Sequence, residues 1–220
     1  MDFDSVISAR HSVRGFVDTP IAPELVSEIV TLAQRTPSWC NSQAWQLDIT
    51  SPAETARLSA VLLDQVSSEA AGEPDIGWPE KYEGVYADRR RASGYALYES
   101  LGIERGDKVR RFEQSMENLK FFGAPHVAIV SSPNALGPYG FIDCGGFVSM
   151  FQFAARSRGV ASIAQAAPTL YSAVLHEFFS IPDDRAIICA IAFGYADDSH
   201  PANQFRTERE TADAVVRWHR

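Results

Sequence analysis

The chain has 220 residues, 45% of them hydrophobic, which is enough to bury a real core in one domain and excludes a disordered chain. A formal charge of −8 argues against a broad nucleic-acid footprint, which needs a net basic surface to displace counterions, so any phosphate site must be local. Three cysteines, Cys40, Cys144 and Cys189, lie far apart and are odd in number, which suits free thiols in a reducing cytoplasm better than a disulfide framework.

The opening Met1-Asp2-Phe3-Asp4-Ser5 is acidic and polar, unlike a secretion signal, and no stretch is apolar for long enough to span a membrane. Phe3, Val6 and Ile7 repeat at helical spacing and predict a short helix that delivers Arg10 to Arg14 at or just beyond its end. Pro20 and Pro23 predict the start of a second helix, with Leu25, Ile29, Leu32 and Ala33 on one face and Pro37 as its stop. Trp45 to Thr50 alternates as a half-buried strand, with Trp45, Leu47 and Ile49 on one side. Ser51-Pro52-Ala53-Glu54 reads as a capping box, followed by an apolar stripe of Leu58, Val61, Leu62 and Val66.

From Ala71 to about Gly106 the periodicity weakens, and tyrosines mix with arginines; this is the least regular part. His126 to Ser131 predicts a buried strand. Phe141 to Arg158, apolar on nearly every side, predicts a long helix buried through the middle as the spine of the core. Ala161 to Ala166 follows as a short strand, and Pro168 opens a helix carrying Leu170, Val174, Leu175 and Phe178. Ile187 to Tyr195 is apolar enough for a central strand, and Thr211 to Trp218 can pair as a last strand. No repeat, linker or second domain interrupts residues 1–220, so they form a single domain with 72–112 as its variable part.

Arg10, Ser12 and Arg14 place two guanidinium groups and a hydroxyl within one short stretch, and a phosphate monoester needs such forked, charge-assisted donors. The same residues also suit a solvated helix end, where cations complement the dipole. Pro37, Ser38, Asn41 and Gln43 form either a capped turn or a surface whose amides match the pyrimidine edge of a flavin. Trp39 either lines that pocket or packs, and Cys40 reads as a small buried hydrophobe, since no histidine motif marks it as a nucleophile. His11, His126, His176, His200 and His219 show no metal-ligand spacing, so no metal is expected. Gly-x-Gly-x-x-Gly after a strand and Gly-x-Ser-x-Gly are both absent.

In order, Arg10-His11-Ser12-Val13-Arg14, the segment Thr36 to Gln46, Gly159 to Ala167, and Gly194 to Arg209 resemble the flavin-mononucleotide (FMN) cradle of the nitroreductase family. The resemblance covers nearly the whole chain outside 72–112. It implies an α+β fold, a three-layer α/β/α sandwich with a mostly antiparallel sheet, assembled as an intertwined homodimer with FMN at the interface. It implies that Arg10 and Ser12 meet the flavin phosphate, that Arg14 lies near flavin N1 and the C2 carbonyl, and that His11 contributes backbone contacts only. Ala164, Gln165 and Ala166 stand where backbone N–H groups meet flavin N5. Arg209 returns to the phosphate, with Arg206 as the fallback. Pro37, Ser38 and Asn41 come from the other subunit, and Gln43 is a further residue of the cradle.

The resemblance also implies FMN-dependent hydride transfer from NADH or NADPH to a small-molecule acceptor, a nitroaromatic or a quinone, by a ping-pong scheme in which flavin N5 carries the chemistry and no catalytic side chain is needed. Relatives with the same cradle remove halogen, reduce activated alkenes or dismantle flavin, and a flavin-holding redox sensor without turnover is the alternative of another class. Trp39, Tyr82, Tyr86 and Arg89 are the expected acceptor contacts, because irregular aromatic segments on a rigid scaffold carry specificity. Nucleic acid and membrane are not expected partners.

Overall fold

The computed structural model describes residues 2–219. Its centre is one antiparallel sheet of β1 (Gln46–Ile49), β2 (His126–Pro133), β3 (Ala161–Gln165) and β4 (Arg185–Gly194), in the order β1-β2-β4-β3. Strands β2 and β4 pair with each other in the middle and alternate their side chains between two cores. Ala128, Val130, Ile191 and Phe193 point toward α2 (Pro23–Ala33) and α6 (Gly137–Ser157), where they meet Ile29, Phe147 and Phe151. Val127, Ile129, Ala190 and Ala192 point the other way, toward α3 (Pro52–Ser67) and α7 (Ser172–Phe179), where they meet Leu58, Leu62 and Leu175. Both faces are covered, which is why these two strands read as continuous apolar runs and why the architecture is a three-layer sandwich.

A bulge keeps the two cores in register. Val130 pairs with Cys189 but Ser131 pairs with Ile187, so Ile188 is an extra residue and both Ile188 and Cys189 lean on the α6 side. His126 clips the sheet to the chain that precedes α2. Its Nδ1 lies 2.8 Å from the Thr50 carbonyl and its Nε2 lies 3.0 Å from the Ile21 amide, which donates to it. A carbonyl only accepts and an amide N–H only donates, so the ring is the neutral Nδ1–H tautomer with a structural task.

Helix ends follow their caps. Helix α1 (Phe3–Ala9) opens with the Asp2 carboxylate accepting the Ser5 N–H at 2.9 Å, and α3 opens with the Ser51 hydroxyl accepting the Glu54 N–H at 3.3 Å. The Glu54 carboxylate turns to Arg57. Helix α2 starts at Pro23, so Pro20 lies outside it, and Leu32 is exposed where the helical stripe placed it inside.

Other departures have physical causes. The irregular stretch contains a regular helix, α4 (Gly84–Ser100), none of whose residues is buried; with no core to face, it needs no apolar stripe and shows none. Helix α5 (Lys108–Met116) follows, with the Asp107 carboxylate accepting the Arg110 N–H at 2.9 Å. A 3₁₀ turn, Ala167–Leu170, takes Pro168, and α7 starts only at Ser172. The tail is not a strand: α8 (Ala212–Val215) is a single exposed turn, because no sheet edge of this chain lies beside it. Helix α6 is the spine of one core but buries one side only, leaving Ile142, Gly145, Gly146 and Ser149 exposed.

Candidate functional site

Beyond α1 the chain extends along the free edge of β3. Ser12 bridges Ser162 in parallel, and the Val13 N–H donates to the Ser162 carbonyl at 3.3 Å. Val13 drops into the interior while its neighbours Ser12 and Arg14 stay half-buried. A small hollow there is lined by Arg10, His11, Gln152, Arg156, Val160 and Ser162. Within it Arg156 Nε and Ser162 Oγ are buried without a hydrogen-bond partner. Burial and the positive charge of Arg209 lower the pKa of Arg10. Burial also lowers that of His11; its carbonyl contact with Ala9 opposes the shift, and Arg206, Arg156 and Arg10 reinforce it. Among the described residues no carboxylate pairs with Arg10, Arg156, Arg206 or Arg209. A chain of net charge −8 has thus gathered cations around an uncompensated hollow, which an anion would neutralise. Arg156, at the end of an apolar helix, carries no motif that marks it from sequence.

Arg14 is held by a residue the sequence reading passed over. The Asn203 side chain accepts the Arg14 N–H at 2.7 Å and donates to the Gly15 carbonyl at 2.8 Å and to the Asp197 carbonyl at 2.9 Å. Gly15 is required beside it, since a Cβ there would come within 2.3 Å of the His200 ring. The Arg14 guanidinium touches the Ser12 carbonyl at 3.3 Å and sits 5.8 Å from the Phe205 ring centre, and burial lowers its pKa. On β3 the amide and carbonyl directions alternate, so Ala164 turns its backbone N–H to the same edge as Ser162, and its small side chain is exposed. Ala166 ends that edge at the 3₁₀ turn. The side chain of Gln165 faces away, buried, and donates to the Asn118 carbonyl at 2.9 Å, and by the same alternation its backbone turns to β4 rather than to this edge.

The segment Pro37 to Gln43 forms a tight loop. Cys40, Asn41 and Gln43 all have left-handed φ values, 50°, 57° and 48°, a conformation Asn tolerates and Cys and Gln adopt at a cost of about 1 kcal/mol or more each. Asp143 of α6 holds it, accepting the Trp39 N–H at 3.0 Å and the Ser42 hydroxyl at 3.2 Å. The Gln43 N–H closes the loop on the Ser38 hydroxyl at 3.0 Å. Cys40 is exposed, not buried, because the left-handed turn swings it out. Trp39 does not pack in the core either: it is 62% exposed and backed by Tyr139 at 4.8 Å between ring centres. A lone acid in an apolar helix was the signal for Asp143.

The two halves of the predicted cradle do not meet within one chain. Asp143 anchors the Pro37–Gln43 loop, and Arg156 lines the Arg10 hollow. At the rise of an α-helix, these two positions on α6 are about 20 Å apart.

Of the expected acceptor contacts, Tyr82 shares a cleft of about 550 Å³ with Arg14. Tyr86 is exposed outside that cleft, and Arg89 is paired with Glu210 of the tail at 2.8 Å rather than free for a ligand. Arg90 lies 5.3 Å over the Tyr82 ring instead. Among the described residues no group of His, Cys, Asp and Glu could hold a metal ion, and no helix is long and apolar enough to cross a membrane.

Comparisons with known proteins agree on one family. The 4-nitrobenzoate reductase of Pseudomonas putida is 32% identical over 217 residues, 99% of this chain and 95% of that protein. A crystal structure of the FMN and NADPH-dependent nitroreductase NfnB from Sphigopyxis sp. strain HMH superposes with a TM-score of 0.96 at 28% identity, covering 100% of this chain and 99% of that one. The FMN-dependent nitroreductase NfnB from Mycobacterium smegmatis, in complex with NADPH, superposes at 0.93 with 30% identity over 99% of this chain and 97% of that one. The sequence profile described as the Nitroreductase family matches residues 7–195, from within α1 to the end of the central strand β4, and the chain belongs to that family.

Proposed function

We propose that the protein is an FMN-dependent oxidoreductase that draws hydride from NADPH or NADH and passes it to nitroaromatic or quinone-type acceptors. The observation that carries this reading is the uncompensated cation cluster of Arg10, Arg156, Arg206 and Arg209 at the free edge of β3. Its charge, its forked donors and the orphaned Arg156 Nε and Ser162 Oγ suit a terminal phosphate, which favours FMN over FAD. Arg10, Ser12, Arg156 and Arg209 would hold that phosphate. Arg14 would face the pyrimidine edge, and the backbone of Ala164 and of the turn at Ala166 would face the ring.

Bound FMN supplies the acceptance and donation of hydride. The chain binds and orients: Arg14, half-buried and latched by Asn203, would stabilise negative charge at the pyrimidine edge. No side-chain acid or base is required. One pocket serves nucleotide and acceptor in turn.

The site is shared between two copies. The 20 Å or so between the Arg10 hollow and the Pro37–Gln43 loop supports this, as does the exposed face of α6 at Ile142, Gly145 and Gly146, where a second helix can approach closely. Pro37, Ser38, Asn41 and Gln43, with Trp39 beside them, would then complete the partner's cradle. Residues 1–220 act as one domain, with 72–112 as the wall of the acceptor pocket, and the free cysteines suit a cytoplasmic protein.

Purified protein tests this directly. It should be yellow, release FMN on heating, and consume NADPH or NADH when nitrobenzene or a quinone is added. FAD at one per subunit, or FMN that stays oxidised with both nucleotides, would overturn the reading.

A further inference from the structure

We propose that the cleft between Arg14 and α4 is a subsite for the carboxylate of a one-ring aromatic acid, which the protein takes as electron acceptor. The proposal rests on the reading of Arg14 as the residue beside the flavin. The cleft is lined by Arg14, Tyr82, Arg90, Arg91, Tyr98 and Arg111 among others, and no acidic side chain is part of it. Two of its guanidinium groups rest over aromatic rings, Arg90 exposed and Arg111 half-buried. Arg90 lies 5.3 Å over the Tyr82 ring, and Arg111 lies 4.9 Å over the Tyr98 ring with its Nη1 tied to the Arg105 carbonyl at 3.2 Å.

The three successive arginines of α4 go to different partners. Arg89 pairs with Glu210 at 2.8 Å and Arg91 with Asp88 at 3.3 Å, so both charges are answered. Arg90 and Arg111 have no carboxylate partner among the described residues, and both face the cleft. An acidic protein gains nothing in solubility from converging unpaired arginines, and their mutual repulsion opposes the arrangement. An arene carboxylate answers both halves of the lining: its ring meets tyrosine faces and its oxygens meet forked N–H donors. A volume of about 550 Å³ holds one aromatic ring with its acid group and falls short of a whole dinucleotide. The nucleotide phosphate is the other source of negative charge, and the test separates it.

The flavin-loaded protein is compared with its Arg90→Ala/Arg111→Ala double variant and with Arg111→Lys. The first readout is the ratio of kcat/KM for 4-nitrobenzoate to that for 4-nitrobenzamide, which has the same ring and no charge. The proposal expects the ratio to fall at least tenfold in the double variant and to be partly kept in Arg111→Lys. An unchanged ratio overturns it, as does a fall confined to the preference for NADPH over NADH, which would assign the cleft to the nucleotide. The second readout is calorimetric binding of benzoate against benzamide, which needs no turnover. Benzoate binding that weakens at least tenfold in the double variant supports the subsite even if the oxidoreductase reading fails. Benzoate that binds both proteins alike, or neither, overturns the subsite while turnover of 4-nitrobenzamide leaves the oxidoreductase reading standing.

Discussion

Asn203 holds Arg14 through the main chain, its amide oxygen accepting the Arg14 N–H at 2.7 Å while its nitrogen donates to the carbonyls of Gly15 and Asp197 at 2.8 and 2.9 Å. One buried side chain thus ties the segment after α1 to the segment after β4, two stretches far apart in sequence that the flavin reading needs side by side.

Asn203→Ala should leave the Arg14 N–H without a partner, a loss of about 1–3 kcal/mol, while the carbonyls of Gly15 and Asp197 still accept from the N–H groups of Asp197 and His200. Asn203→Asp keeps the acceptor but sets carboxylate oxygen against two carbonyls, so it should be at least as damaging. Denaturant unfolding of flavin-free protein, followed by FMN titration, checks both. Wild-type stability together with wild-type FMN affinity would show that Arg14 needs no such latch.

Arg156→Met keeps the aliphatic stem and removes one cation from the cluster. FMN affinity should fall about tenfold to a hundredfold, the equivalent of about 1.5–3 kcal/mol for hydrogen bonds to a charged group. The flavin-free protein should not lose stability, because repulsion with its neighbours is relieved. Arg209→Ala should weaken FMN more than Arg206→Ala, because the charge of Arg209 bears on Arg10 in the hollow whereas that of Arg206 bears on His11. Fluorescence titration of flavin ranks all three, and the reverse order for the last pair would shift the phosphate contact to Arg206.

Mixed dimers test the shared site. Asn41→Ala and Arg10→Ala should each impair FMN binding, whereas a mixed dimer of the two contains one site with both lesions and one intact. Roughly half of the FMN content and activity should return. A mixed population no better than either parent would place the two residues in the same site of one chain.

The His176–Asp75 pair predicts a pH dependence of stability remote from the flavin. His176 Nδ1 lies 2.9 Å from the Ile181 carbonyl and Nε2 lies 2.9 Å from Asp75 Oδ2, so both ring nitrogens face acceptors and the imidazolium fits best. Burial opposes the charge, but the Ile181 carbonyl and Asp75 outweigh it and hold the pKa above its ordinary 6.5. A raised folded pKa means that this stabilisation is complete below the unfolded value and is lost as pH rises through the folded one. Thermal unfolding should therefore show wild type losing Tm relative to His176→Gln from mildly acidic to mildly alkaline pH. Parallel profiles would mean that the pair contributes no titratable stability.

The parts legible in the sequence were those whose pattern answers to local physics. Strands β2 and β4 carry the apolar runs Val127–Val130 and Ala186–Phe193 because both their faces are covered, and the caps Asp2 and Ser51 stand where α1 and α3 begin. Arg10, Ser12 and Arg14 were legible because their chemistry lies within five residues of each other. The extent of helix α4 was not, although Arg89-Arg90-Arg91 reads as a solvated helix face, because a helix that buries nothing in its own chain carries no apolar period; the tail pairs with no strand of this chain.

Tertiary structure alone decided the rest. Asn203 and Arg156 act through partners far away in sequence, so no local motif could mark them, and Cys40 is exposed only because its backbone is left-handed. The sequence by itself determined the family and the layers, since burial is written residue by residue, and it supplied the arginines from which a phosphate site is proposed. Which cations converge without a counter-charge, and that the two halves of the cradle stand at opposite ends of α6, are distances, and distances exist only once the chain has folded.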